Sequence, residues 1–402
     1  MATSVFLAGA ATRVITPPLG ARPVFLAGFQ GDRRATAVHS DLYARALAMR
    51  HGDQVAILVA CDLIGLQRDD VEEIRATLTA RDVAPDALIV ACTHTHSGPD
   101  TLGLWGPDKA SSGVDPVYLA GVRRSVALAA VEALTFGCPV RMRAATAQMP
   151  AGYIVNTRTP GLVDDEIAVV QFERPSGEIL ATLLNLACHP EVLAGDSTLI
   201  SADYAGAACR AVERAVGGVA LHVSGALGRM LSPANDLRDV AGVERMGHAY
   251  AEAALAALAQ AELAAVAQMD FRRATFRLPM ENPLFAQAQA AGVLRRRSFE
   301  SGQLASTCAY IDLGSAQILT LPGELLPRLG FELKAALPGP VRMLAGIADD
   351  ELGYILPDDE FVHPADYANP GAQYEESMSL GPRTGSLVLA AAKGLVWQGH
   401  EA

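Results

Sequence analysis

Three histidines and one glutamate stand where apolar runs of the chain stop. His94 and His96 form a His-Thr-His string directly after the run 87–92. Residues i and i+2 of a strand share a face, so two imidazoles at this spacing point into one cavity. Ser97-Gly98-Pro99 follows and predicts a tight turn that exposes the pair. His189 ends a second run in Cys188-His189-Pro190-Glu191, with Pro190 fixing the backbone just past the imidazole. Glu324 comes after Pro322-Gly323 at the end of a third run, 318–321. Imidazole nitrogen and carboxylate oxygen are zinc donors, and a catalytic zinc site keeps one position open for water. Taken singly, each residue has a plainer reading: a hydrogen-bonded core histidine, or a glutamate favoured by a helix N-terminus. Three histidines at strand ends say more than any one of them. Gly225-Ala226-Leu227-Gly228 with Ser232 offers backbone amides and a hydroxyl after a further run, a place for an oxyanion or a nucleophile. It lacks the Gly-x-Ser-x-Gly form of the α/β-hydrolase elbow, and a structural glycine turn explains it equally well.

The elements that must position these residues alternate. A β-rich run at 55–60 ends at Asp62, an amphipathic helix covers 69–80, and the strand 87–92 leads to His94. This pattern predicts an α/β fold of mixed, mainly parallel sheets flanked by helices, with ligands at the carboxyl ends of strands. Asp115-Pro116 opens a long helix toward Leu134. A hairpin of 167–172 and 179–187 turns at Pro175-Ser176-Gly177. Helices are predicted over 203–216, 240–267 and 283–297, and strands over 220–224, 271–278, near Tyr310 and Gln317, and over 341–347. The irregular stretch 357–375 reads as a lid or site wall, with Trp105 as a further wall residue. No linker is visible, so residues 1–402 are taken as one catalytic unit whose pattern changes near 268; no repeat of solenoid period is found.

The chain has 402 residues, half of them apolar, and a formal charge of −12. Acidity argues against nucleic acid as a partner, because phosphate contacts need clustered Lys and Arg. The densest basic run, Arg295-Arg296-Arg297, reads as a solvated helix face. No apolar stretch is long enough to span a bilayer, and the N-terminus lacks the basic start of a signal peptide, so a cytoplasmic location is expected. The six cysteines lack CxxC pairing and read as buried thiols. Nothing specifies an oligomeric state; a homo-oligomer stays open.

Several strings together resemble the neutral/alkaline ceramidase family. Cys92-Thr-His94-Thr-His96-Ser-Gly-Pro99 looks like its zinc-site signature, and Ala11-Thr-Arg-Val-Ile-Thr-Pro-Pro18 like its N-terminal strand. His39-Ser-Asp41-Leu-Tyr-Ala-Arg45, Ser201-Ala-Asp203-Tyr204-Ala-Gly206, Pro322-Gly-Glu324 and Tyr374-Glu-Glu-Ser377 follow in the family's order, from near residue 8 to near residue 395. The resemblance implies Zn2+ held by His94, His189, Glu324 and Tyr354. It implies that His96 stands behind the metal ligands or on the substrate side, that Arg158 polarises the substrate carbonyl, and that Tyr374 hydrogen-bonds the tetrahedral intermediate. Ser232 matches the family's active-site serine. The implied reaction is hydrolysis of a carboxamide (N-acyl) bond in a small-molecule or lipid-like acyl substrate. There are departures. Gly228-Arg229 replaces the family's Gly-Asp, the spacing to Ser232 is one residue longer, and the Tyr354–Tyr374 stretch is longer. The match to the Tyr354 segment is loose, and the family's C-terminal β-sandwich is expected to have no counterpart. Alternatives are an esterase or lactonase on a small acyl substrate, a non-haem iron oxygenase (its triad is also two His and a carboxylate), or a metal-binding protein without catalysis.

Overall fold

The computed structural model describes residues 5–20, 22–228, 231–294 and 299–397. Arg229 and the run Arg295-Arg296-Arg297 lie outside the described residues.

Three stretches of chain build one topology three times. The first holds β1 (Phe6–Val14), β2 (Tyr43–His51), β3 (Gln54–Cys61), α1 (Arg68–Thr79), β4 (Ala87–Cys92) and α2 (Pro116–Thr135). The second holds β5 (Arg141–Gln148), β6 (Glu166–Glu173), β7 (Ile179–Leu186), α3 (Asp203–Val216), β8 (Val219–Ser224) and α4 (Val240–Leu258). The third holds β9 (Asp270–Pro279), β10 (Gln303–Asp312), β11 (Ala316–Thr320), α5 (Pro327–Ala336), β12 (Val341–Ala345) and α6 (Thr384–Trp397). Strand order is β4-β3-β2-β1, β8-β7-β6-β5 and β12-β11-β10-β9. The first three strands of each unit pair antiparallel. The fourth lies parallel to the third, across the helix that crosses between them.

The α/β class with mixed sheets is as the sequence predicts, but the parallel share is smaller: one pair in each of these sheets. Tight turns at Gly52, Gly177 and Gly314, all in the left-handed region, close hairpins that reverse the chain. Two helices are shorter than their sequence patterns. Val240–Leu258 stops before 267 because Ala264–Ala265 is drawn off to pair with Arg141 and Met142, and Pro283–Ala290 stops before 297.

The three sheets turn one face inward and share a core. Leu47 and Leu58, Val170 and Leu183, and Ile318 and Met343, two from each sheet, belong to one buried cluster. The outer faces are covered separately, by α1 and α2, by α3 and α4, and by α5 and α6. All six cysteines are free and five are buried. Among the described residues, no helix is long and apolar enough to cross a membrane.

The ends of the three fourth strands are knitted together, and this positions the site. Cys92 N–H donates to Ile347 O at 3.0 Å, Gly346 N–H to Ser224 O at 2.8 Å, and Ser224 Oγ to Thr93 O at 2.7 Å. Ser224 also faces a buried histidine. His222 on β8 has Tyr250 OH and Ser224 Oγ at 3.2 Å on either side of its ring. Burial pushes its imidazole down to about 3. The unfolded chain, titrating near 6.5, takes up a proton that the folded state refuses. This contribution to stability is therefore full above pH ~6.5 and is lost toward pH 3, at about 1.4 kcal/mol per pH unit. Denaturant titrations should show the gap between the protein and His222→Phe shrinking as pH falls from 7 to 5. A gap that stays level contradicts a histidine buried neutral.

Candidate metal and catalytic site

His94 follows β4 but is not a strand residue. Its φ is +66°, a left-handed conformation rare for a residue with a Cβ. The chain turns at His94, so the His-Thr-His pair meets through a turn rather than through strand alternation. The turn also buries the pair instead of exposing it, at 4 % and 6 % exposure.

His94 Nδ1 lies 2.6 Å from Ile64 O, and His189 Nδ1 lies 3.0 Å from Leu231 O. A carbonyl only accepts, so both Nδ1 atoms donate and each Nε2 faces the site. The two Nε2 atoms converge on one atom, Glu324 Oε2, at 3.6 and 3.0 Å. Burial pushes the Glu324 carboxyl up, but the charge of His94 and the hydrogen bond from His189 outweigh it and hold it far below the usual carboxylate range. Burial likewise lowers His189, and Glu324 reverses that to a net rise. The same pull favours a cation in this place.

His96 joins the group from the other side. The ligand nitrogens of His94, His96 and His189 all lie within 4.8 Å of one another. His96 Nδ1 comes within 3.4 Å of Glu191 Oε2 without hydrogen-bonding geometry, and neither ring nitrogen has a hydrogen-bond partner. Burial first, then His94 and His189, keep this imidazole well below its ordinary value, hence neutral. Its seat is the loop 25–34. A Cβ on Gly28 (φ +98°) would fall 2.3 Å from His96 Cγ. The Phe29 ring meets His96 edge-on at 5.0 Å, and buried Arg33 donates to His96 O.

Each remaining sequence candidate has a definite place. Tyr354 pairs in register with Glu324, on the short parallel strands Tyr354–Ile355 and Glu324–Leu325. Burial, then Glu324, pushes its phenol well above the ordinary value. The Tyr374 ring lies 6.0 Å from that of Tyr354. Tyr374 is 45 % exposed as a residue, yet burial of its hydroxyl and the nearby Glu324 and Glu191 push that hydroxyl up to about 12. Arg158 is engaged by Glu376 at 3.0 Å and by Glu375, which ties it to the turn carrying Tyr374. Ser232 is buried with no partner for its hydroxyl, on a strand pair with Val155. Its neighbour Leu231 supplies the carbonyl that orients His189.

Glu191, 2 % exposed beside His96, was not singled out by sequence; its one signal is its place two residues past His189. The Ser201-Ala-Asp203-Tyr204 string proves to be a clamp. The Asp203 carboxylate accepts from the N–H groups of Val192 and Leu193, and Tyr204 OH donates to Cys188 O at 2.6 Å, gripping His189 from both sides.

These groups border a cavity of about 50 Å³. His94, His96, Glu324, Glu351, Tyr354 and Tyr374 form its polar wall, and Ile64, Leu102, Leu104, Trp105, Phe285 and Met378 its apolar wall. Trp105 is thus a wall residue as expected, and of the stretch 357–375 only Tyr374 borders the cavity. A larger groove of about 480 Å³, between Pro17-Pro18 and α2, shares no residue with this cavity and holds no histidine.

No protein-family model and no curated protein matches the chain. Solved structures do match. The neutral ceramidase of Pseudomonas aeruginosa superposes with a TM-score of 0.77, covering 98 % of this chain and 75 % of that one at 17 % identity. A structure of ceramidase complexed with C2 gives 0.80, covering 99 % and 76 %, also at 17 % identity. The chain has the fold of neutral ceramidase over nearly its whole length, as the sequence resemblance predicts.

Proposed function

We propose that this protein is a zinc-dependent hydrolase of a carboxamide (N-acyl) bond, with the ion held by His94, His189 and Glu324 beside Tyr354. One observation carries the reading. Two buried imidazoles, each fixed by an Nδ1 donor to a backbone carbonyl, aim Nε2 at the same carboxylate oxygen. That is the outer support expected of metal-bound histidines, and two nitrogens with one oxygen suit zinc with a position left for water. Bound there, zinc brings the pKa of a water toward ~7 and polarises a carbonyl.

The chain's own groups do the rest. His96, neutral and without a hydrogen-bond partner, accepts a proton at a ring nitrogen and returns it to the leaving amine. Tyr374 keeps its proton at neutral pH and donates to the substrate oxygen as charge builds there. Arg158, through Glu375 and Glu376, holds the turn that presents Tyr374. Ser232 is assigned no step. The ceramidase fold favours an amide over an ester as the bond cleaved.

The mutual approach of the three imidazoles favours a second ligand set, His94, His96 and His189. Plasma-emission zinc content and turnover of purified variants separate the two. His94→Ala is expected to lose both metal and activity, and His96→Ala to keep the metal and lose turnover. Loss of the ion from His96→Ala establishes the three-histidine set. Full metal and full turnover in His94→Ala end the proposal.

A further inference from the structure

The cavity beside His94 and His96 is small. At about 50 Å³ it takes roughly four water-sized groups, well below the ~300 Å³ at which pockets for drug-sized ligands begin. A second cavity of about 430 Å³ lies behind its wall, with Val114, Leu119 and Val293 on its apolar side and Ser111, Ser112 and Arg123 on its polar side. Among the described residues, Leu102 alone borders both.

That wall is rigid. Buried Asp100 accepts hydrogen bonds from the N–H groups of Leu102, Gly103 and Trp105 at 2.9, 2.7 and 3.0 Å. Trp105 Nε1 donates to Phe29 O at 2.9 Å. A Cβ on Gly103 would fall 2.3 Å from Val293 O, so the backbone is pressed against the far side. Leu102 itself is 7 % exposed and packs with Ala27, Ile64 and Trp105.

We propose that Leu102 limits the length of the acyl group this protein accepts. Short acyl chains fit, and the space behind Leu102 becomes continuous with the site only when that side chain is shortened. The proposal rests on the amide-hydrolase reading above. A backbone held this firmly cannot collapse into the hole that a truncation leaves, and a methylene that gains or loses room in an apolar pocket changes kcat/KM by about tenfold or more.

The test compares N-acyl derivatives of one amine, from acetyl to octanoyl, on the zinc-loaded protein, Leu102→Ala and the milder Leu102→Val. The parent should favour acetyl over octanoyl by at least about tenfold. The octanoyl-to-acetyl ratio should rise by at least about tenfold in Leu102→Ala and by less in Leu102→Val. Thermal shift gives a readout without turnover: octanoate should stabilise the variants and not the parent. If Leu102→Ala does not fold, Leu102→Val carries both comparisons. A parent that prefers octanoyl, or folded variants with the parent's ratio and no gain in octanoate binding, overturns the proposal. If the parent cleaves no N-acyl compound, the amide reading falls instead, and octanoate binding still decides whether Leu102 divides the two cavities.

Discussion

Glu324→Gln should weaken zinc binding by at least about a hundredfold and lower kcat/KM at least as much. The substitution keeps the size of the side chain and replaces one carboxylate oxygen by an uncharged NH2 group. Loss of a group that merely supports a metal ligand already costs 10- to 100-fold, and here the oxygen itself is what both Nε2 atoms face, at 3.0 and 3.6 Å. The carboxylate stays ionised despite full burial because the two imidazoles hold it so. A neutral amide offers neither the charge nor a second oxygen. Calorimetric zinc titration of chelator-stripped protein reads the first loss and steady-state turnover the second. Wild-type affinity in this variant would remove Glu324 from the ligand set.

The second large effect comes from a residue that touches no substrate. Gly28→Ala places a methyl 2.3 Å from His96 Cγ, on a backbone whose φ of +98° disfavours any Cβ. His96 has no slack, since Phe29 and Arg33 hold it from the same loop. Displacing a proton-transfer group by about 1 Å costs on the order of 100-fold in rate, so Gly28→Ala should lose that much turnover while keeping its zinc. The backbone strain adds a stability loss of about 1–2 kcal/mol. A double variant isolates the clash. In a His96→Ala background the new methyl has room, so its stability cost should shrink to the backbone strain alone. Equal costs in both backgrounds would show that His96 is not what the methyl meets.

What the sequence made legible follows from what short-range pattern encodes. Apolar runs that stop at His94, His189 and Glu324 are local facts, and they located the strand ends that bring those residues together. The route taken by His94 was not local. Strand alternation suggested a shared face, but the residue sits in a left-handed turn anchored by Leu63 and Ile64, some thirty positions earlier. Glu191, Gly28 and the Asp203 clamp share that difficulty, because each acts on a partner that only the folded chain supplies. Arg158 shows the reverse. Resemblance implied a substrate role, whereas its guanidinium meets Glu375 and Glu376, far along the chain. The threefold topology leaves no short-period signal in the sequence, because each unit takes roughly a third of the chain, well beyond the 20–50-residue periods at which repeats show themselves.

That topology has a mechanical consequence. On the proposed ligand set, the first third of the chain would bring His94 to the ion, the second His189 and the third Glu324, so a bound cation would be a clasp with one tooth on every segment. No segment could then unravel without letting go. By mass action an ion that is gripped only by the closed molecule stabilises it by RT ln(1 + [Zn]/Kd), about 4 kcal/mol when free zinc is a thousand times Kd. All three segments would share that gain, including the parts of each that lie far from any histidine.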